Sequence, residues 1–253
     1  FDIHSLIELN LSSNEIKAIP SSIFKLKELK ELNLSNNNLS SLATKKDIEF
    51  IKNKFVENYS DAVTELEYQN DYELLIAIIL SAQCTDKRVN IITPALFQKF
   101  PSSKELATAD LEDVKELLKS CSFFNNKAKN IIKMAQSVND NYNAKIPHET
   151  KELMTLAGVG NKTANVFMIE ADGANLMAVD THVFRVSHRL GLSDGKTVEQ
   201  TEAQLVKKLK DDLHIFHQAM VLFGRYICKA VKPDCEKCFL QDVCKTKETF
   251  RVG

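Results

Sequence analysis

The chain has 253 residues, of which 44% are hydrophobic and 26% charged, the composition of an ordinary globular protein rather than a disordered or collagen-like one. Its 33 basic residues nearly balance 34 acidic ones, so the net charge of -1 gives no general attraction for nucleic acid, and any such surface must be a local patch. The longest apolar run, Leu74 to Leu80, is far shorter than the roughly 20 residues that cross a bilayer. We therefore expect no membrane span and a cytoplasmic location.

The first 43 residues contain an internal repeat with the spacing L-x-x-L-x-L-x-x-N-x-L, which is typical of leucine-rich repeats. The leucines of each short strand should face the core, and the asparagine should serve the buried backbone of the turn. About three repeats are needed for a stable solenoid. We interpret residues 1–43 as an appendage without chemistry; an arm that binds a protein partner is the alternative. The two copies are Leu6, Leu9, Leu11, Asn14, Ile16, Ile19 and Leu29, Leu32, Leu34, Asn37, Leu39, Leu42.

From residue 44 onward the sequence is predicted to be almost wholly helical. Thr44 and Asp47 have the spacing of a capping box, with Asp in place of the usual Glu. Apolar residues then recur at intervals of three and four, whereas strand-like alternation is scarce. The helical series include Ile48, Ile51, Phe55, then Leu111, Val114, Leu117, Leu118, and then Leu205, Leu209, Leu213; loops are predicted at Pro94, Pro101 and Pro147.

The segment LMTLAGVGNKTANV, residues 153–166, predicts two helices joined by a tight turn. The first helix should start at Pro147 and run to about Leu156, and Gly158 and Gly160 should break it. The second helix should begin near Asn161, where its first N–H groups can bind a DNA phosphate without reading sequence. From this spacing alone, an ordinary helix–loop–helix turn remains an alternative.

Two polar residues in this region are candidates for chemistry. Lys162 falls in the first turn of the second helix, where the helix dipole disfavours a cation, so its presence indicates a function such as nucleophilic attack. A surface lysine that binds phosphate is the alternative. Asp180 ends an apolar stretch before another helix, so it is predicted to cap that helix and could also act in catalysis.

Four cysteines near the C-terminus form the pattern C-x6-C-x2-C-x5-C. Four thiolates at such spacing bind either a 4Fe–4S cluster or a structural zinc ion. Zinc usually takes two C-x2-C pairs, and this segment has one, so the pattern favours iron–sulfur. Cys84 and Cys121 are interpreted as small buried hydrophobes. The predicted metal ligands are Cys228, Cys235, Cys238 and Cys244.

In their order along the chain, LAGVGNKTANV, AVDTHVFRV and the cysteine pattern resemble the endonuclease III family over about residues 44–250. The segment from Tyr72 to Asp86 is similar to the early helix of that family. The resemblance implies a mainly α, two-subdomain helix-hairpin-helix DNA glycosylase fold with a 4Fe–4S cluster loop at 228–244. One subdomain would be a six-helix barrel that carries the hairpin. We expect a leucine-rich repeat fragment at 1–43 and the glycosylase domain at 44–253.

The resemblance also implies a function in base excision repair. The family removes oxidised pyrimidines from double-stranded DNA and then cleaves the abasic site by β-elimination through a lysine Schiff base. Lys162 matches the nucleophile and Asp180 the catalytic carboxylate, with Asp86 and Arg185 as supporting residues. We expect a monomer that works on nucleoid DNA. The implied DNA-binding residues are Gln83, which fills the gap left by the flipped base, Phe123 at the position of a leucine wedge, Gly158, Gly160 and Thr163.

The sequence departs from the family at three positions near these motifs. Ala157 replaces a usual proline, Asn161 a usual basic residue and Ser122 a usual glycine. Loss of one basic contact predicts weaker DNA binding but not a changed reaction. Two alternatives remain: a monofunctional glycosylase of the same superfamily, and a non-catalytic DNA-binding scaffold that uses the repeats. The presence of Lys162 argues against a monofunctional glycosylase. The presence of both Lys162 and Asp180 argues against a non-catalytic scaffold.

Overall fold

The computed structural model of the protein describes residues 6–14, 16, 26–33, 35 and 42–246. In these residues a two-stranded sheet precedes eleven α-helices, and two 3-10 turns, Cys235–Lys237 and Gln241–Val243, lie near the C-terminus. No helix of the described part is long and apolar enough to cross a membrane. The elements are β1 Glu8–Asn10, β2 Glu31–Asn33, α1 Lys45–Tyr59, α2 Asp71–Ser81, α3 Asp86–Lys99, α4 Ser103–Ala107, α5 Leu111–Leu118, α6 Phe124–Tyr142, α7 Thr150–Leu153, α8 Asn161–Asp172, α9 Thr181–Arg189, α10 Val198–Leu209 and α11 Leu213–Tyr226.

The helices pack into two hydrophobic clusters, which confirms the predicted two-subdomain fold. The first cluster is built on α2, whose residues Leu74–Leu80 are all buried, and extends through α3–α8. The second combines α1 with α9, α10 and α11, and Phe55 and Phe223 meet there edge to face, with ring centroids 5.5 Å apart. Between α8 and α9, Ala178 packs in the first cluster and its neighbours Met177 and Val179 in the second. This segment therefore joins the two cores immediately before Asp180.

The start of α1 has the predicted capping box. The Asp47 N–H donates to Thr44 Oγ1 at 3.2 Å, and the Thr44 N–H donates to Asp47 Oδ2 at 3.0 Å. Asp47 also accepts a bond from Lys245 Nζ at 2.9 Å, which ties α1 to the C-terminal segment and lowers the pKa of the carboxyl. A capping box with Asp at its fourth position thus works as predicted.

The leucine-rich repeats form a parallel pair of strands with Glu8 opposite Glu31 and Asn10 opposite Asn33, the register that the repeat spacing predicts. Asn14 Nδ2 donates to the carbonyls of Leu11 and Ser12, but this turn is exposed rather than buried. The prediction that the strand leucines face a core is wrong for Leu32, which is 36% exposed, because two strands of three residues cannot enclose it. Ile19, Leu34, Asn37 and Leu39 lie outside the described residues.

Pro94 does not mark a loop but lies inside α3. Proline removes one helical hydrogen bond, and its position on the exposed face lets water satisfy the carbonyl left without a partner. The buried residues Val89, Ile92 and Leu96 keep the helix in place on both sides of it. Leu213 likewise begins a new helix rather than continuing α10, because Lys210 and Asp212 adopt positive φ values between them.

The first helix of the predicted hairpin is also shorter than expected. It spans only Thr150–Leu153, since the preceding His148 is held by Asp71 on α2 and Asp172 on α8, at 3.0 and 2.9 Å. After Leu153 the chain turns tightly, with the Leu156 N–H donating to the Leu153 carbonyl at 3.0 Å. The second helix, α8, begins at Asn161 as predicted.

Candidate active site

An open cleft of about 830 Å³ has walls from both subdomains. Lys162 at the start of α8 and Asp180 at the start of α9 both line this cleft, together with His217 from α11. The cleft thus brings the predicted amine and carboxylate to one wall, although they are separated by a helix and a connecting segment in the sequence. Their catalytic roles remain predictions.

Lys162 is exposed in the first turn of α8, where the sequence placed it. The N-cap residue of this helix is Gly160, which has no side chain to satisfy the first N–H groups. An uncapped helix start next to a cation has a strong local attraction for anions, because backbone N–H groups and the ammonium group act in the same direction.

Asp180 caps α9 as predicted. One of its carboxylate oxygens accepts the Val183 N–H at 2.8 Å. The cap fixes the side chain at the cleft wall and leaves its second oxygen available for chemistry. Asp180 is therefore both a helix cap and a cleft residue, the combination that the sequence left open.

His217 is a buried neighbour of Lys162 and Asp180 that the sequence analysis missed. Its Nδ1 lies 2.8 Å from the Ala178 carbonyl, an acceptor, so Nδ1 carries the proton and Nε2 is unprotonated. Burial lowers the pKa of His217 to about 4. The charge of Asp180 opposes this decrease in the pKa, and the charge of Lys162 adds to it. The ring is therefore neutral at pH 7 and adds no competing charge to the site. The sequence of this largely apolar helix gave no signal of the contact.

The turn of the hairpin has one strained glycine and one unstrained one. Gly158 has φ +84°, and a Cβ there would lie 3.1 Å from Asn130 Cβ, so this position requires glycine. Gly160 has an ordinary φ of -96° and open space around it. Thr163 is half-buried in the first turn of α8. The three predicted DNA-binding residues of the hairpin thus lie around one helix start.

Two exposed residues adopt left-handed backbone conformations on neighbouring loops. Gln83, after α2, has φ +54° and lines the cleft; Phe123, before α6, has φ +57° and is 65% exposed. The buried ammonium of Lys127 joins their loops by donating to the carbonyls of Leu80 and Ala82 at 2.8 and 2.6 Å. Non-glycine residues in this region of φ are uncommon and often functional. Phe123 lies beside the cleft loops but is not itself a lining residue.

The residues proposed as supports make specific contacts. Asp86, at the start of α3, pairs with Arg225 at 2.8 Å, and Arg225 also pairs with Glu65. These ion pairs connect α11 to the first subdomain across the cleft. Arg185 donates from Nε to the Cys228 carbonyl at 2.9 Å and from Nη2 to the Gly224 carbonyl at 2.7 Å. Both side chains are therefore engaged in specific contacts rather than being plain surface charges.

The four C-terminal cysteines line one small pocket of about 30 Å³, and Arg189 lies in its wall. Among the described residues, no three His, Cys, Asp or Glu side chains form a group suited to one metal ion. Arg189 Nη1 lies 3.3 Å from Cys228 Sγ and donates to the Lys229 carbonyl at 2.7 Å. Four thiols around one pocket beside an arginine fit an iron–sulfur cluster, because the cation offsets the charge of a thiolate-bound cluster. Cys84 and Cys121 lie apart from this pocket.

Comparison with protein families agrees with this architecture. The model for HhH-GPD superfamily base excision DNA repair proteins matches residues 76–211. The model for the iron–sulfur binding domain of endonuclease III matches residues 228–244, and a model for two copies of leucine-rich repeats matches residues 4–53. The fold and cleft are thus those of the helix-hairpin-helix class of DNA-repair enzymes.

Full-length relatives make the assignment more specific. Endonuclease III of Rickettsia felis is 43% identical over 192 residues, 76% of this chain and 90% of its own. Endonuclease III of Bacillus subtilis is 42% identical over 202 residues, 79% and 92% of the two chains. The structure of a trapped endonuclease III–DNA covalent intermediate superposes with a TM-score of 0.79 at 40% identity, over 82% of this chain and 99% of that one. The chain belongs to the endonuclease III family, whose cofactor is a 4Fe–4S cluster.

Proposed function

We propose that this protein repairs DNA by removing oxidised pyrimidines and then cutting the abasic site through a lysine Schiff base. The observation that carries this proposal is that Lys162 and Asp180 line one cleft of about 830 Å³. Its relatives include an endonuclease III trapped covalently on DNA. A monofunctional glycosylase would have no need of the amine at the start of α8.

The cleft receives the damaged nucleotide after it leaves the duplex. Flipping a base costs a few kcal/mol, and least for a lesion that already pairs poorly. Gln83 enters the gap in the duplex, and Phe123 acts as a wedge beside it. Both side chains are exposed and both have backbones in the left-handed region, so the two loops present these side chains to solvent, where DNA can meet them. The uncapped start of α8, with Gly158, Gly160 and Thr163, binds a backbone phosphate.

The chemistry begins when the free amine of Lys162 attacks the anomeric carbon of the sugar. The bond to the base breaks, and the Asp180 carboxylate stabilises the positive charge that develops on the sugar. The new ammonium group gives up a proton to the departing base, and opening of the sugar ring with protonation of its ring oxygen gives a Schiff base between Lys162 and the sugar. Removal of a proton from the adjacent sugar carbon then expels the 3′ phosphate by β-elimination. Neutral His217 supports the Ala178 carbonyl, which precedes Asp180 by two residues.

The cluster-binding segment stabilises the second subdomain. Four cysteines, Cys228, Cys235, Cys238 and Cys244, would hold the 4Fe–4S cluster, and their bonds to it would cross-link the loop. Arg185 and Arg189 attach that loop to α9 through the carbonyls of residues 228–230. We propose residues 44–253 as the catalytic domain, residues 1–43 as an appendage without chemistry, and a monomer acting on nucleoid DNA in the cytoplasm. A protein partner held by the repeats is the alternative role of residues 1–43.

Borohydride trapping tests the nucleophile, the substrate class and the reaction together. The wild-type protein should form a covalent adduct with a thymine-glycol duplex and cleave its strand. Lys162→Ala should form no adduct and cleave nothing, with DNA binding retained. Lys207→Ala, an exposed lysine on α10, is the matched control and should behave as wild type. Equal trapping of wild type and Lys162→Ala would contradict the proposal; a wild type without any adduct would leave a monofunctional glycosylase.

A further inference from the structure

The cleft has a second polar feature, on α11 one residue beyond His217. Gln218 lines the cleft although only 6% of its surface is exposed. Its amide Nε2 donates a hydrogen bond to the Glu170 carboxylate on α8. The other oxygen of Glu170 accepts the Thr64 N–H at 3.4 Å. The contact thus joins two helices and the loop before α2, on the wall of the cleft.

The Glu170 carboxylate determines the orientation of the Gln218 amide. An ionised carboxylate can only accept hydrogen bonds, so Gln218 must turn its NH₂ group toward Glu170 and its oxygen away from it. Burial raises the pKa of Glu170 to about 7, and the ionised form therefore predominates above neutral pH. Because the charge of Glu170 sets this orientation, the Gln218 amide presents its oxygen, rather than its NH₂ group, before a ligand binds.

The oxygen of the Gln218 amide remains available to a ligand. In the described part of the chain no group donates a hydrogen bond to this oxygen. The oxygen is also not fully enclosed by protein atoms. It therefore opens to the cleft that Gln218 lines. The cleft lining combines apolar residues, among them Leu66, Val166 and Val221, with polar ones. A fixed acceptor in a pocket that also has apolar walls is a common form of specificity contact.

We propose that Gln218 is a specificity-determining residue that accepts a hydrogen bond from an N–H on the edge of the flipped base, and that Glu170 is its positioning residue. The ligand class is pyrimidine lesions that keep the imide N3–H, namely those derived from thymine and uracil. The inference rests on the proposed function, because it requires a base in this cleft. A site built to bind an N–H group discriminates strongly against an analogue that lacks it, since the buried acceptor is then left without a partner.

The test is single-turnover base excision from duplexes with thymine glycol or with its N3-methyl analogue. In wild type, N3-methylation should reduce the rate by about 10- to 100-fold, the effect of one buried unpaired acceptor. Gln218→Leu should lose a similar factor on thymine glycol, with no further loss on the methylated base. Glu170→Gln should give an intermediate loss, because its amide also pairs with the opposite orientation of Gln218. Gln136→Leu, an exposed residue on α6, is the matched control.

Strand cleavage at a preformed abasic site separates the two proposals, because this substrate has no base to recognise. All three variants and wild type should cleave it at equal rates, which also shows that the variants are folded. Unchanged excision of thymine glycol by Gln218→Leu would overturn the inference, as would an equal N3-methyl penalty in wild type and Gln218→Leu. Failure of wild type itself at the abasic site would instead overturn the proposed lyase function.

Discussion

Asp180 caps a helix, and the proposed function gives the same side chain a chemical role. Its bond to the Val183 N–H, at 2.8 Å, uses one carboxylate oxygen to begin α9. Catalysis requires negative charge, whereas capping requires only an acceptor, and asparagine caps helices as well as aspartate does. The two roles can therefore be separated by substitution.

Asp180→Asn should retain the fold but lose activity. The cap is kept, so the free energy of unfolding should change by less than about 0.5 kcal/mol, while base excision should fall by at least about 100-fold because the neutral amide cannot stabilise the cationic sugar. Asp180→Ala, the comparison variant, should lose activity and in addition about 1 kcal/mol of stability. Urea unfolding and single-turnover excision measure the two effects; an active Asp180→Asn protein would contradict the role of charge.

Glu170 and His217 should have opposing effects on stability in weak acid. The pKa of Glu170 is raised to about 7, so between about pH 4.5 and 7 the unfolded chain releases a proton that the folded protein keeps, and stability falls as pH rises. The pKa of His217 is lowered to about 4 from 6.5, so below pH 6.5 the unfolded chain binds a proton that the folded protein rejects, and stability falls as pH falls. In wild type the two trends should largely cancel.

Glu170→Gln removes one of these trends and should expose the other. Its free energy of unfolding should decrease as pH is lowered from 6.5 to 4.5, by up to about 1.4 kcal/mol per pH unit, whereas that of wild type should change little. Above pH 7 the variant should be the more stable of the two proteins, because it has no buried charge. Urea titrations at half-unit intervals measure this, and parallel profiles for the two proteins would contradict the assignment.

At the scale of elements, the hairpin turn contains two glycines with different requirements. Gly158→Ala should destabilise the protein by at least about 1 kcal/mol and weaken DNA binding, because its φ of +84° is unfavourable for alanine and the Cβ meets Asn130. Gly160→Ala is the control, since its backbone is ordinary and nothing lies within 4 Å of the added Cβ. Thermal unfolding and filter binding to an abasic duplex would compare them. Equal stability of the two variants would contradict the turn geometry.

The sequence predicts those elements whose signals are local. The capping box of α1, the start of α8 and the cap at Asp180 all depend on residues within three or four positions, and the structure has each of them. Pro94 and the shortened α7 depart from prediction because packing of distant residues determines them. Pro94 is accommodated by burial on the opposite face of α3, and the start of α7 is set by the hydrogen bonds of His148 with Asp71 and Asp172.

The residues of the candidate site also fall into those with a local sequence signal and those without one. Lys162 and Asp180 could be selected from motifs, whereas His217 and Gln218 lie on an apolar helix without a local pattern. Gln218 meets Glu170 across 48 positions of sequence, and His217 meets the Ala178 carbonyl across 39. Such contacts depend on how helices pack, which the spacing of residues along the chain does not specify.

At the scale of the whole molecule, residues 1–41 should be dispensable for repair. The described strands pair with each other, and the Ala43 N–H, which follows the removed residues, donates to the Gly191 carbonyl at 2.9 Å. A chain that begins at Leu42 keeps this bond and the Thr44 cap. Its midpoint of thermal unfolding and its rate of thymine-glycol excision should equal those of the full chain. A loss of activity on truncation would give the repeats a role in the reaction.

A single helix of nine residues, α9, connects the proposed catalytic carboxylate to the loop that contains the four cysteines. Asp180 caps its first turn, and Arg189 at its last turn bonds the loop of Cys228. At 1.5 Å per residue the two ends are only about 13 Å apart, and a helix this short behaves as a stiff strut. We therefore expect that loss of a cluster held by the cysteine loop would disturb the position of the Asp180 carboxylate, so that oxidants that create the lesions would also lower the rate of base excision.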